Sequence, residues 1–312
     1  MTGRAGVALA LGAYGMWGLF PLYFRLLQSA GAVEIVLHRI VWSLLTCLVL
    51  IAAARAWAAL RAVTRRQVLL LAAAAAVLSI NWGVFIWAVN TEQVVETSLG
   101  YFINPLVSVL LGVLLLHERL RRAQWVAVGI AASAVVVLTV DYGRPPWIAL
   151  ALAASFGSYG LLKNRVGQGS GQGVGALPGL TVETAVLFLP ALAGVLWLQA
   201  QGSGTLVSEG PWHTTFLVLS GALTAAPLLL FAAAARRVPL STIGLLQYVT
   251  PVMQLLIGTL VFGEPMPPLR LAGFALVWCA LVVLTADGLR TGARARAQAR
   301  AEARLAEATT AT

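Results

Sequence analysis

The sequence predicts an all-α membrane protein of ten transmembrane helices in two inverted five-helix repeats, and three observations predict it. The chain is 60% hydrophobic and 10% charged, with a mean hydropathy of +0.87. Its basic residues gather in alternate loops, and its two halves coincide when shifted by 146 residues. A soluble chain of 312 residues needs more charge to solvate its surface, so lipid is the expected solvent. Cys47 and Cys279 sit far apart in apolar runs. They fit neither a disulfide framework nor a metal pattern, and read as small buried hydrophobes.

A helix crossing the hydrocarbon core needs about 20 mostly apolar residues. Ten windows qualify: 6–27, 34–53, 68–89, 94–116, 123–140, 146–162, 180–198, 212–235, 240–262 and 269–286. The sixth and seventh are weaker, because Gly and polar residues interrupt them. Arg4 followed by an apolar stretch resembles a secretory signal. Nine more windows follow, however, so it is expected to remain as an uncleaved first span.

The basic residues set the orientation. With the amino terminus inside, one side holds Arg4, Arg55, Arg61, Arg65, Arg66, Arg119, Arg121, Arg122, Lys163, Arg165, Arg236, Arg237 and the arginines after residue 288. The other side holds Arg144 and Arg270, while Arg25 and Arg39 fall within spans. Such a bias predicts an even span count and an inner-membrane protein with both termini cytoplasmic. It also accounts for the net charge of +10 without nucleic acid, which is not an expected partner.

Two stretches read as non-membrane. Residues 163–179 are Gly-rich but lack the Gly-Lys-Ser/Thr ending of a phosphate loop and follow no strand, so a flexible connector is expected. The tail 288–312 is rich in Arg, Ala and Glu. It is read as a basic cytoplasmic segment, disordered rather than a helix on anionic lipid.

In the register of 146, Pro105 meets Pro251, Gly112 meets Gly258, Glu118 meets Glu264, Phe85 meets Phe231, and Val136–Thr139 with Asp141 meet Val282–Thr285 with Asp287. With a slightly different offset, Val33-Glu34 meets Val182-Glu183. Apolar coincidences are cheap in such a chain, but Pro, Gly, Glu and Asp in one register are not. The expected divisions are 1–143, 144–287 and the tail. Five spans per half invert the second half, an architecture of transporters that pores and enzymes can also carry.

Proline removes a helix donor, so Pro105 and Pro251, each near mid-span, are expected to free the carbonyls of Tyr101 and Gln247. Tyr101, Asn104, Gln247, Tyr248 and Thr250 would line a cavity there; the alternative is a pair of packing kinks. Glu34 and His38 share one face of the second span, beside Arg39. Burying arginine costs roughly 2.5–3.5 kcal/mol even when mitigated, so Arg39 needs Glu34, Glu96, a freed carbonyl or water as a partner. It serves either the cavity or a structural ion pair. Asn81 needs partners at mid-span. Trp82 and Trp87 are cavity walls or interfacial belt residues. Trp17-Gly18 and its counterpart Tyr159-Gly160 suggest tight helix contact.

Three stretches carry a family resemblance: Glu34–Ser43 (Glu-Ile-Val-Leu-His-Arg-Ile-Val-Trp-Ser), Asn81–Asn90 (Asn-Trp-Gly-Val-Phe-Ile-Trp-Ala-Val-Asn) and Ser98–Pro105 (Ser-Leu-Gly-Tyr-Phe-Ile-Asn-Pro). They resemble the RarD group, labelled chloramphenicol-sensitive, of the EamA family in the drug/metabolite transporter superfamily. Glu118-Arg119 with Gln124-Trp125, and Gln247-Tyr248 with Pro251, extend the resemblance over nearly the whole chain except the tail. The resemblance implies ten helices in two five-helix repeats, a central cavity, and export or uptake of small metabolites. Where that group has Gly-Glu after the fourth span, this chain has His117-Glu118, a change confined to a cytoplasmic turn.

The function expected is secondary transport of a small metabolite or drug by alternating access, with a small-molecule substrate and membrane lipid as partners. No catalytic residue, metal or cofactor is expected, since no His-Glu-x-x-His, Gly-x-Ser-x-Gly or paired-aspartate motif falls on a span. The rivals are an intramembrane enzyme and a non-transporting scaffold or regulator. No ATP-binding motif is present, so a gradient or downhill flow would supply any driving force.

Overall fold

The apolar windows are helical in the computed structural model, which describes residues 2–116, 120–167, 174–235, 237–238 and 240–310, with side chains from 4 to 293 except 112–119, 167–173, 236 and 239–241. The first half comprises α1 (Thr2–Arg25), α2 (Ala32–Ala53), a short α3 (Trp57–Arg61), α4 (Arg65–Asn90), α5 (Val94–Leu116) and α6 (Arg122–Tyr142). The second comprises α7 (Trp147–Gly167), α8 (Ala176–Ala200), α9 (Pro211–Ala235), α10 (Leu240–Leu246), α11 (Val249–Leu256) and α12 (Pro268–Thr310). α3 is too short to cross. α10 and α11 are two pieces of the ninth span, completed by a π-helical turn at Ile257–Val261. The result is ten spans in two runs of five, and the odd number inverts the second run. Among the described residues nine helices are long and apolar enough to cross a membrane. The exception is α7, the weak sixth window, where Ser155, Gly157, Ser158 and Gly160 dilute the apolar run.

The chain forms two compact units. The larger takes in Met1–Ser108 and Pro146–Met266. In it α2 packs along α8 and α9, α1 along α9 and α11, and α4 along α7. Gly221 permits the α2–α9 approach, because a Cβ there would lie 2.2 Å from the Trp42 carbonyl carbon. Helix starts are closed by side chains. Thr64 and Gln67 form a reciprocal capping box on α4. Glu264 accepts the first amides of α5, from Val94 at 2.6 Å and Val95 at 2.8 Å.

The smaller unit takes in Val109–Pro145 and Pro267–Thr312, with α6 along α12. Ion pairs of 2.7 Å join Asp141 to Arg270 and Asp287 to Arg121. The two aspartates are the pair matched by the internal repeat.

Four expectations change. The tail is helical through Thr310 rather than disordered; Ala, Arg and Glu are strong helix formers, so propensity extends α12 where hydropathy gives out. Cys279 is exposed on α12, whereas Cys47 is buried as expected. Arg25 is not inside a span but ends α1, 2.7 Å from Glu92. The Gly-rich connector is shorter than 163–179, since α7 runs to Gly167 and α8 starts at Ala176. His117, Glu118, Arg119, Arg236 and Gly169, Gly171 and Gly173 lie outside the described residues, as do the side chains of Arg294, Arg296, Arg300 and Arg304.

Candidate functional site

α2 carries Glu34, His38 and Arg39 into the interior of the larger unit, where all three are buried. The Arg39 Nε donates to Thr224 Oγ1 on α9 at 3.1 Å. Its guanidinium carbon lies 4.1 Å from the ring centre of Trp82, with Phe24 at 5.2 Å and Phe20 at 5.6 Å. Aromatic faces attract a cation most strongly where water is excluded. Trp82 thus turns a ring face to Arg39 in the interior of the larger unit. Trp87 instead meets Trp147, ring to ring at 5.2 Å.

No carboxylate among the described residues pairs with Arg39, and the two expected partners are otherwise engaged. Glu34 accepts the Thr205 amide at 2.6 Å, and Glu96 accepts the Ile148 amide, in the first turn of α7, at 3.0 Å. Both acids satisfy orphan backbone donors, where a carboxylate is well placed. The structural ion pair is thus corrected to a guanidinium held by a hydroxyl and aromatic rings.

His38 belongs to a neighbouring set. Its Nδ1 accepts from Trp42 Nε1 at 3.2 Å, and its Nε2 lies 3.8 Å from Glu34. The hydroxyl of Thr205, the residue whose amide Glu34 holds, meets His213 Nε2 at 2.8 Å.

Asn81 finds the partners its burial requires. Its amide donates to the Leu152 carbonyl at 3.1 Å and to Ser155 Oγ at 2.9 Å, and it accepts from the Tyr101 hydroxyl at 3.4 Å. Tyr101 lies between Phe85 and Phe156. Arg39, Trp82, Asn81 and Tyr101 thus come together on α2, α4 and α5, backed by α7 and α9.

The remaining expected residues sit elsewhere, on the ninth span and on α5. The Thr250 hydroxyl donates to the Tyr14 carbonyl at 2.8 Å, and Tyr248 stacks on Phe102 with centroids 6.4 Å apart. Asn104 keeps a buried Oδ1 with no hydrogen-bond partner among the described residues. The Gln247 carbonyl is not freed by Pro251, because the Thr250 amide donates to it at 3.3 Å. Pro251 occupies the first turn of α11, where a missing N–H costs nothing, whereas α5 runs through Pro105 as one helix.

The sequence reading missed Glu183. It is buried on α8, paired with Lys163 at 2.7 Å, and it accepts from the Tyr159 hydroxyl at 3.4 Å. A narrow cleft beside it is lined by Ile40, Ser79, Trp82, Leu180, Glu183 and Thr184. Its one available signal was the repeat match to Glu34. Thr224 was missed as well; a hydroxyl in an apolar helix that bonds its own carbonyl four residues back, as Thr224 does to Ser220, gives no outward sign of a ligand. Among the described residues no group of three or more His, Cys, Asp or Glu side chains could hold a metal ion.

The EamA-like transporter family model matches twice, over residues 4–140 and 145–286. A Protein RarD from Streptomyces exfoliatus is 56% identical over 293 residues, spanning 93% of this chain and 91% of the relative. An uncharacterized transporter of Vibrio cholerae serotype O1 is 41% identical over 291 residues, 93% of this chain and 94% of the relative. A solved crystal structure superposes with a TM-score of 0.55 at 19% identity, covering 89% of this chain and 96% of the other; that likeness concerns the fold alone.

Proposed function

This chain belongs to the EamA-like transporter family, in its RarD group, and we propose that it is a secondary transporter moving a small metabolite or drug across the inner membrane by alternating access. It is a multi-pass membrane protein of a transporter family; substrate, mechanism and orientation are the proposal. One observation carries it: a polar interior to which both repeats contribute. Arg39 and Asn81 of the first repeat reach Thr224 and Ser155 of the second, and Tyr101 joins Asn81 from within the first. Polar groups at membrane depth are expensive and mark pathways more often than scaffolds. A site held between inverted repeats is the one that rocking them exposes to each side in turn. Residues 1–143 and 144–287 are the moving halves in this reading. The one-sided arginines support cytoplasmic termini.

The test is counterflow in liposomes. Purified protein should accelerate exchange of at least one labelled solute from a panel of metabolites that differ in excess between a deletion strain and its parent. Binding of those solutes without exchange would leave a receptor or scaffold in place of a transporter.

A further inference from the structure

We propose that Arg39 is an oxyanion receptor and that the solute carried is a small organic anion bearing a carboxylate or a phosphate monoester; this rests on the transport reading and names its substrate class.

Arg39 is 3% exposed. Of its five N–H donors only the Nε proton is used within the described residues, on Thr224 Oγ1. The four Nη protons meet no carboxylate, carbonyl or hydroxyl there. An arginine at this depth needs a counter-charge, and the two acids expected to supply it are engaged with backbone amides: Glu34 with Thr205 and Glu96 with Ile148.

The surrounding rings decide the geometry. Trp82, Phe24 and Phe20 surround the guanidinium with aromatic faces. Rings offer no oxygen to the Nη protons, and the fork those protons make matches two coplanar oxygens of a carboxylate or phosphate. The rings also decide the body of the ligand. Phe24 lies on Phe85 at 6.1 Å and Phe85 on Tyr101 at 5.9 Å, so the walls are aromatic. An inorganic ion would lose its hydration shell here for one guanidinium. An organic anion puts its charged end on Arg39 and its apolar part on the rings. The second repeat has no counterpart: in the register that matches Glu34 with Glu183, Arg39 falls on Phe188. One receptor in a two-fold scaffold binds one anion.

The test is thermal unfolding of the purified protein in detergent, at constant ionic strength, with benzoate, phenyl phosphate, benzamide and chloride. The two oxyanions should raise Tm saturably by several degrees, while benzamide and chloride leave it unchanged. Arg39→Met should abolish the rise, and Arg39→Lys, which keeps the charge without the fork, should weaken it at least tenfold in concentration. Equal shifts from benzamide and benzoate, a full shift from chloride, or a persistent shift in Arg39→Met would overturn the proposal. The comparison of wild type across ligands decides it even if Arg39→Met does not fold. Phenyl phosphate counterflow separates the two readings. Oxyanion binding with no exchange of any solute sinks transport and leaves the receptor, whereas exchange of neutral solutes with no oxyanion binding sinks the receptor and leaves transport.

Discussion

α2 and α8 carry matched glutamates near their starts, and the two are satisfied in opposite ways. Glu34 gives its charge to a neutral amide, that of Thr205, with His38 alongside. Glu183 pairs with the Lys163 ammonium and accepts a hydrogen bond from the Tyr159 hydroxyl. The difference fixes what each half can do. On α8 the charge is cancelled locally, beside the narrow cleft that Glu183 helps to line. On α2 the acid is committed to the backbone, and the positive charge five residues on is left without a counter-ion. A repeat conserves the problem of a buried carboxylate without conserving its solution, and the open charge arises where the solutions diverge.

Breaking each solution gives the largest contrast. Lys163→Met should destabilise the protein by about 3 kcal/mol, because it leaves Glu183 buried and unpaired. Glu34→Gln should cost about 1 kcal/mol or less, since the amide oxygen still accepts from Thr205. Denaturation of both variants in one detergent would measure this. Adding Glu183→Leu to Lys163→Met should recover most of the loss, since it removes the stranded charge. Equal losses in the two single variants would mean that the ion pair and the amide contact are equivalent, and the contrast between the halves would go.

The matched prolines sharpen the comparison at intermediate size. Pro105 interrupts hydrogen bonding inside a continuous α5, so Pro105→Ala should raise Tm by restoring one bond. Pro251 heads α11 after a break at Gln247 and Tyr248. Pro251→Ala supplies an amide that competes with Thr250 for the Gln247 carbonyl and lets α10 and α11 fuse. Its effect should fall on transport, a several-fold loss of exchange per folded molecule, with little change in Tm. Measuring both quantities in both variants tests this; the same pattern in each would make the break incidental.

How much of this the sequence disclosed differs by scale. Hydropathy placed every span to within a few residues, because one 20-residue apolar window answers one physical demand, the bilayer thickness. It failed where other forces govern. The α12 tail is helical by propensity, and the ninth span is divided by backbone geometry. The site residues were legible one at a time, since Arg39 and Asn81 are polar groups where polarity is costly. Their partners were not. Arg39 meets Thr224 from 185 residues away, and Glu34 meets Thr205 from 171. No spacing rule reaches that far, so the nearest acids in sequence stood in wrongly for the true partners. Lys163 shows the same limit: counting charges by side assigned it to the connector after the sixth window and gave no hint that it lies on α7 and pairs with a buried acid.

The smallest expected effect separates α1 from α7, which carry the counterpart pairs Trp17-Gly18 and Tyr159-Gly160. Both glycines were expected at tight helix contacts, and only one is. A Cβ on Gly18 would lie 2.8 Å from Met253 Sδ and 2.9 Å from Met253 Cβ, whereas one on Gly160 would meet nothing within 4 Å. The sulfur end of Met253 can swing aside, but its Cβ is fixed to α11, so α1 and α11 must separate slightly to admit a methyl group. Overpacking of that kind costs about 1 kcal/mol at the low end of its range. Gly160→Ala meets no such obstacle and gains helix propensity, about 0.5–1 kcal/mol in the stabilising direction. The two substitutions, chemically identical and at matched places, should therefore move Tm in opposite directions. The α1–α11 contact also holds the Thr250–Tyr14 and Gln254–Trp17 hydrogen bonds. Gly18→Ala should accordingly slow exchange modestly, while Gly160→Ala leaves it within experimental scatter. A fall in Tm for both would show that α7 is packed where the structure leaves it open.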